Sequence, residues 1–172
     1  MVLPWHIVEK QIQKEINWLR DSIETFSNEE KGAPVGICRE CLMRKIAVLI
    51  VTGKIKASQI NKLPSLNSFW INKSKNKKQL KISHGKEWHS ETMKTIRNHF
   101  LAKGFRIEIE PTLSWGRADL GIYKKRQKDL FIEVGTTSFF KLWINLEQMK
   151  NFVYLIVPND DKIIEFRKDD KK

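Results

Sequence analysis

The stretch GRADLGIYKKRQKDLFIEVG, residues 116–135, decides the fold of the second half of the chain. It contains two apolar segments, 118–123 and 130–134, on either side of a basic turn over 124–129. This pattern predicts two strands joined as a β-hairpin. One strand carries Asp119 and the other Glu133. Because side chains alternate faces along a strand, both acids are expected on one side of the sheet at one end, with apolar neighbours on the other side.

The segments around this hairpin predict an alternating order of helices and strands. In chain order they are a helix over 86–102, strands over 105–110, 118–123 and 130–134, a helix over 139–151, a strand over 153–157 and an edge strand over 163–166. Gly104 fits as the stop of the first of these helices. The expected fold class is α/β, with the core order helix, strand, strand, strand, helix, strand.

The first half of the chain predicts a basic, mostly helical domain over 1–84, followed by a second domain over 85–172. Apolar residues at steps of three and four predict an amphipathic helix over 5–26. A second helix is expected over 37–52, ended by Gly53, and a short third one over 57–63, stopped by Pro64.

Two interpretations of this first domain stay open. In a winged helix-turn-helix, residues 41–52 form the support helix, 57–63 the next helix and 65–73 the recognition helix, with a lysine-rich wing over 75–81. In the other interpretation the segment is a helical cap that packs on the second domain and carries a solvated basic loop.

Composition excludes several classes of protein. The chain has 172 residues, of which 41% are hydrophobic and 30% charged, as in a folded domain. No apolar run approaches the roughly 18 residues of a membrane span. The first residues, MVLPWH, lack a basic region followed by a long apolar segment. We therefore expect a cytoplasmic protein without a membrane partner.

The charge predicts an anionic partner. The formal net charge is +12, and residues 1–84 carry 15 Lys and Arg against 7 Asp and Glu. Residues 85–172 carry 17 against 13, so the basic character is concentrated in the first half. Nucleic acid is the simplest partner for such an excess.

The two acids of the hairpin predict a metal site. A carboxylate inside an apolar strand is costly unless it is paired or bound to a cation. Two converging carboxylates repel each other, and their hard oxygens suit Mg²⁺ or Mn²⁺. Such a metal polarises a phosphoryl oxygen and lowers the pKa of a bound water, which is the chemistry of phosphodiester hydrolysis.

With Asp119 and Glu133 on adjacent strands in this element order, residues 85–166 resemble the PD-(D/E)XK nuclease superfamily, which includes restriction endonucleases and archaeal Holliday junction resolvases. The resemblance implies a restriction-endonuclease-like αβββαβ core. It implies that Asp119 and Glu133 bind the metal together with the backbone carbonyl of Val134. It also implies that Glu91, or Glu87 one turn earlier, assists from the first helix.

The sequence departs from the family pattern at two positions. Ala118 replaces the motif proline, which is a mild change, and Gly135 replaces the motif lysine. That lysine orients the attacking water and stabilises developing charge. Lys141, six residues later in the next helix, is the candidate substitute. The alternative is that the lysine is lost and the protein binds DNA without cutting it.

The resemblance implies a metal-dependent DNA endonuclease, and a homodimer by analogy with resolvases and restriction enzymes. The residues expected to contact DNA are basic or aromatic: Lys73, Lys75, Lys77, Lys78, Lys81, Trp115, Arg117, Lys124 and Lys125. Trp115 is expected to stack on a base or a distorted strand.

Simpler explanations remain for each acid. Asp119 is explained equally well by a surface salt bridge with Arg117, and Glu133 by a charge that protects an edge strand from aggregation. Glu91 is more commonly an exposed helical residue paired with Lys94 or Thr95. His89 and Glu110 are secondary candidates for the site, although a packed histidine is the commoner explanation for His89.

The pair Cys38 and Cys41 forms a lone CxxC. Its default interpretation is two small apolar residues packed at a helix start. Zinc needs about four ligands, so two more would have to come from elsewhere. A redox pair is favoured less, because no strand-helix-strand unit of the thioredoxin type surrounds it.

Overall fold

The computed structural model describes residues 4–22, 37–60, 86–158 and 162–169. In chain order the elements are α1 (Trp5–Ser22), α2 (Arg39–Val51), β1 (Lys56–Ile60), α3 (Lys86–Ala102), β2 (Arg106–Ile109), β3 (Leu120–Tyr123), β4 (Asp129–Val134), α4 (Phe139–Gln148), β5 (Phe152–Val157) and β6 (Ile163–Lys168). The fold is mixed α/β, and the order of elements predicted from residue 86 onward is the observed one. The prediction of an edge strand over 163–166 is wrong, because β6 lies between β1 and β5.

The six strands form one mixed sheet in the order β1-β6-β5-β4-β3-β2. Strands β2, β3 and β4 are an antiparallel meander, and the hairpin register pairs Leu120 with Ile132. Strands β4 and β5 are parallel. Parallel neighbours need a crossover connection, which α4 provides.

Helices cover both faces of the sheet. The face that carries Phe131, Tyr154 and Phe166 packs against α1, α2 and α4 through Leu19, Leu42 and Leu142, and we call it the bundle face. The opposite face packs against α3 through Ile96 and Phe100. Alternation along β4 therefore places Phe131 and Glu133 on the bundle face, and Ile132 and Val134 on the α3 face.

The helix predicted over 57–63 is wrong for its described part. Residues Lys56–Ile60 form β1, which pairs antiparallel with β6 and places Ser58 opposite Glu165. An edge strand is decided by the partner that it pairs with, more than by local preference. This strand stands where the winged-helix interpretation needs its second helix. The predicted recognition helix and lysine-rich wing lie outside the described residues.

The first half of the chain contributes to the same sheet and core as the second. Strand β1 extends the sheet at β6, and α1 and α2 cover the bundle face. The boundary predicted between residues 84 and 85 lies outside the described ranges, and the division into two domains stays a prediction. Within those ranges, no helix has the length and apolar character needed to cross a bilayer.

The packing of α2 predicts a specific loss of stability. Leu42 is fully buried on the bundle face, whereas Val48 on the same helix is 37% exposed. We expect Leu42→Ala to lower the free energy of unfolding by about 2–5 kcal/mol in urea denaturation. The control Val48→Ala should change it by no more than about 0.5 kcal/mol. Equally small effects would contradict the packing of α2 on the sheet.

Candidate active site

The centre of the candidate site is the carboxylate of Glu133, near the end of β4. It faces the bundle side and its residue is only 4% exposed. Its Oε1 accepts a hydrogen bond of 2.7 Å from the Tyr154 hydroxyl of β5. The same oxygen lies 2.5 Å from Nζ of Lys141. One neutral donor and one cation therefore hold a carboxylate that the apolar core would otherwise expel.

Burial changes the titration of this pair. Desolvation raises the pKa of Glu133, and the nearby charge of Asp119 adds to the increase, while Lys141 and Tyr154 act in the opposite direction without cancelling it. Burial and the adjacent Glu133 also raise the pKa of Tyr154 well above its usual value. The phenol therefore remains protonated and remains a donor.

Asp119 is fixed by the main chain of the neighbouring strand. It lies immediately before β3, and its Oδ2 accepts a hydrogen bond of 2.6 Å from the backbone N–H of Val134. Its own backbone N–H donates to the carbonyl of Ile132 at 3.1 Å. From α3, Nε2 of His89 lies 3.3 Å from the same Oδ2. The hairpin thus brings both acids to one end of β3 and β4.

The simpler explanations for these acids are wrong. The salt-bridge interpretation of Asp119 requires Arg117 as its partner. Arg117 instead pairs with Glu110 at 3.2 Å. Strand β4 is interior, between β3 and β5, and Glu133 is buried, so it is not a charge on an edge strand.

Lys141 reaches Glu133 because the start of α4 places it in the first turn of the helix. Ser138 caps this helix, and its side chain accepts a hydrogen bond of 3.1 Å from the backbone N–H of Lys141 in the first turn. The Lys141 side chain then passes Gly116, where a Cβ atom would lie 3.6 Å from its Cε. Gly116 has a φ of +71°, a backbone conformation that favours glycine.

The backbone at Gly135 is poorly suited to the lysine that the resemblance implies at this position. Gly135 ends β4 with a φ of +94°, and its N–H donates to the carbonyl of Val157 at 2.8 Å. A side-chain-bearing residue rarely adopts this conformation. A lysine at 135 would therefore be strained, and the next helix supplies the ammonium group instead.

A buried asparagine holds the loop beside the site. Asn145 of α4 accepts a hydrogen bond of 2.9 Å from the backbone N–H of Trp115. Its Nδ2 donates to the carbonyls of Trp115 at 3.0 Å and Lys141 at 2.9 Å. The indole of Trp115 stays 43% exposed on the adjacent surface. Sequence reasoning missed Asn145 and Tyr154. The available signals were a polar residue inside an apolar helix and a phenol in a buried strand.

Several predicted residues do not converge on the site. Glu91 and Glu87 are exposed on α3, and the described contact of Glu91 is its backbone carbonyl with the Thr95 hydroxyl at 2.9 Å. Lys124 donates to the carbonyl of Lys103 at 3.1 Å, and Lys125 is exposed in the hairpin turn. The remaining predicted DNA contacts lie outside the described residues: Lys73, Lys75, Lys77, Lys78 and Lys81.

The cysteines differ from their default interpretation. Cys38 and Cys41 are both exposed, so the prediction that they pack as small apolar residues is wrong. In the described part of the chain, no three His, Cys, Asp or Glu side chains form a group that fits a metal ion.

Asp119 and Glu133 are the two carboxylates that could hold a cation at this site. The hydrogen bonds and ion pairs described above involve Oδ2 of Asp119 and Oε1 of Glu133. Mg²⁺ is usually held by one or two carboxylates and keeps several waters. The donor set therefore fits Mg²⁺ or Mn²⁺, with the Val134 carbonyl as a further oxygen.

No protein-family model matches the chain, and comparisons with curated proteins and with solved structures give no match either. Function is therefore inferred from the residues of this chain. The similarity of residues 85–166 to the PD-(D/E)XK pattern stays a prediction.

The raised pKa of Glu133 predicts a pH effect on stability. Because the folded state holds this proton more tightly than the unfolded state, the associated stability is present at low pH and is lost as pH rises through the raised pKa. Glu133→Gln lacks this titration. In EDTA, we expect the wild type to lose stability relative to the variant as pH increases from about 4 to 7, measured by urea denaturation. A stability difference that is constant or moves the other way would contradict the burial of this carboxylate.

Proposed function

We propose that the chain is a divalent-metal-dependent DNA endonuclease of the PD-(D/E)XK type, in which Lys141 replaces the motif lysine. The observation that carries the proposal is the 2.5 Å ion pair between Lys141 and Glu133. A lysine displaced into the next helix contributes to catalysis only if its ammonium group lies close to the two carboxylates. A Lys141 that pointed into solvent would instead favour a protein that does not cut.

The topology around the acids supports the proposal. Three antiparallel strands follow α3, and α4 then leads to β5 parallel to β4. This is the arrangement that the αβββαβ resemblance implies. Asp119 precedes the middle strand of the meander, and Glu133 lies near the end of its last strand. Glu133 contacts Lys141 in the first turn of α4, and Asp119 contacts His89 of α3.

Asp119, Glu133 and the Val134 carbonyl would hold Mg²⁺ or Mn²⁺, which would supply polarisation of a phosphoryl oxygen and a lowered pKa for a bound water. The protein's own groups do the rest. The Lys141 ammonium orients the attacking water and stabilises the charge that develops on the phosphate. The Tyr154 hydroxyl fixes the Glu133 carboxylate, and His89 with the Val134 N–H fixes Asp119.

The proposed substrate is DNA. The net charge of +12 favours a polyanion, and binding by such a chain weakens strongly with salt. Trp115 is exposed, and its backbone N–H bonds to Asn145 on the helix of Lys141, which supports a role in stacking on a base. A homodimer that cuts two strands with two sites is part of the proposal by fold analogy.

A second candidate function is a DNA-binding protein that keeps the scaffold without activity. The observation that favours it is the completeness of the Glu133 contacts. Lys141 and Tyr154 both contact one oxygen, and Lys141 neutralises the carboxylate without a metal ion. A buried ion pair of this kind also serves a purely structural purpose. This candidate predicts metal-independent binding and no cleavage.

A cleavage assay separates the two candidates. Labelled single-stranded, duplex, flapped and four-way-junction DNAs are incubated with Mg²⁺, Mn²⁺ or EDTA. We expect metal-dependent cutting by the wild type. Asp119→Asn and Glu133→Gln should abolish it, because each removes a metal ligand. Lys141→Met should lower the single-turnover rate by about 100-fold or more, because it removes a cation that acts on the transition state.

Matched controls change the same charges at exposed positions. Asp129→Asn, Glu147→Gln and Lys150→Met lie on β4, on α4 and just after α4, and should cut within about twofold of the wild type. Folding of each variant is checked by circular dichroism. Binding without cutting under every metal would contradict the endonuclease proposal and support the second candidate.

A further inference from the structure

The N-terminal end of α2 carries a second reactive arrangement, formed by Cys38 and Cys41. Cys38 is the N-cap residue of the helix, in extended backbone conformation with a φ of −88° and a ψ of 158°. Cys41 lies in the first turn. Both residues are exposed, so a reagent in solution reaches them without unfolding of the core.

The two sulfur atoms are already close together. They lie 2.9 Å apart, and the Cys38 sulfur also accepts a hydrogen bond of 3.3 Å from the backbone N–H of Cys41. A disulfide bond is about 2.05 Å long. The sulfurs therefore have to approach by less than about 1 Å to form a disulfide bond.

The surroundings distinguish the two thiols. The Cys41 thiol, and then its backbone N–H, lower the pKa of Cys38. The adjacent Cys38 sulfur raises the pKa of Cys41. The helix N-terminus adds positive electrostatic potential at the cap position. A thiolate at a helix N-terminus in a CxxC pair is the nucleophile of disulfide chemistry, and its partner is the thiol that resolves the intermediate.

We propose that Cys38 and Cys41 form a thiol–disulfide exchange site, with Cys38 as nucleophile and Cys41 as resolving thiol, that takes small-molecule disulfides. The Cys38 thiolate attacks one sulfur of the disulfide. A bond forms between the two sulfurs, the original S–S bond breaks, and one thiolate leaves with the electron pair.

Cys41 then completes the exchange. It loses its proton to water and attacks the Cys38 sulfur, and the mixed disulfide breaks to release the second thiolate. Two protein thiols are oxidised to one disulfide, and one small-molecule disulfide is reduced to two thiols. This chemistry goes beyond the proposed nuclease activity and does not depend on it.

The test uses the full-length protein and two single variants. Cys41→Ser keeps the nucleophile, and Cys38→Ser keeps the resolving thiol. With glutathione disulfide, intact mass should show an internal disulfide in the wild type and one stable glutathionyl adduct on Cys41→Ser. With the aromatic disulfide DTNB at pH 7, Cys41→Ser should react about tenfold faster than Cys38→Ser.

Three results would overturn the proposal. Equal DTNB rates for the two variants would remove the nucleophile assignment. Two glutathionyl adducts on the wild type would show that Cys41 does not resolve the intermediate. Release of stoichiometric Zn²⁺ from the purified wild type on thiol modification would identify the pair as metal ligands instead. Circular dichroism of both variants checks that the serine substitutions leave the fold unchanged.

Discussion

The structure around the site depends on one constraint, the burial of the Glu133 carboxylate in an apolar sheet face. An unpaired carboxylate at this depth is strongly unfavourable. The buried Tyr154 phenol of β5 and the Lys141 ammonium group of α4 both contact Oε1 of this carboxylate. Removing Lys141 would leave the charge uncompensated, and breaking such a pair typically costs several kcal/mol. The carboxylate therefore fixes where β5 and α4 must lie.

The position of the Lys141 ammonium group follows from backbone geometry. Gly135 directly follows β4 and has a positive φ, so this position is poorly suited to a lysine. The ammonium group belongs to Lys141 in the first turn of the next helix, and its side chain passes close to Gly116, a second glycine with a positive φ. Asn145, one turn further along α4, ties the 111–117 loop to the same helix. Helix α4 thus contacts both the 111–117 loop, through Asn145, and Glu133, through Lys141.

The second half of the chain was predictable because its signals are local. The hairpin, the stop at Gly104 and the start of α4 follow from alternation, turn residues and glycine. Strand β1 was not predictable, because residues 56–60 become a strand only through pairing with β6, more than 100 residues later. The Lys141 contact was a hypothesis from sequence, since reach depends on the helix start and on the bulk at position 116. Tyr154 and Asn145 needed the tertiary structure, because their partners lie on other elements.

The central claim is that Asp119 and Glu133 hold a divalent cation beside Lys141. The most direct measurement is anomalous diffraction from a crystal of the wild-type protein soaked in Mn²⁺. The account predicts one peak with both carboxylates about 2.1 Å from the ion and the Lys141 ammonium next to it. A crystal saturated with Mn²⁺ that shows no peak there, with the ion pair between Lys141 and Glu133 intact, would contradict it.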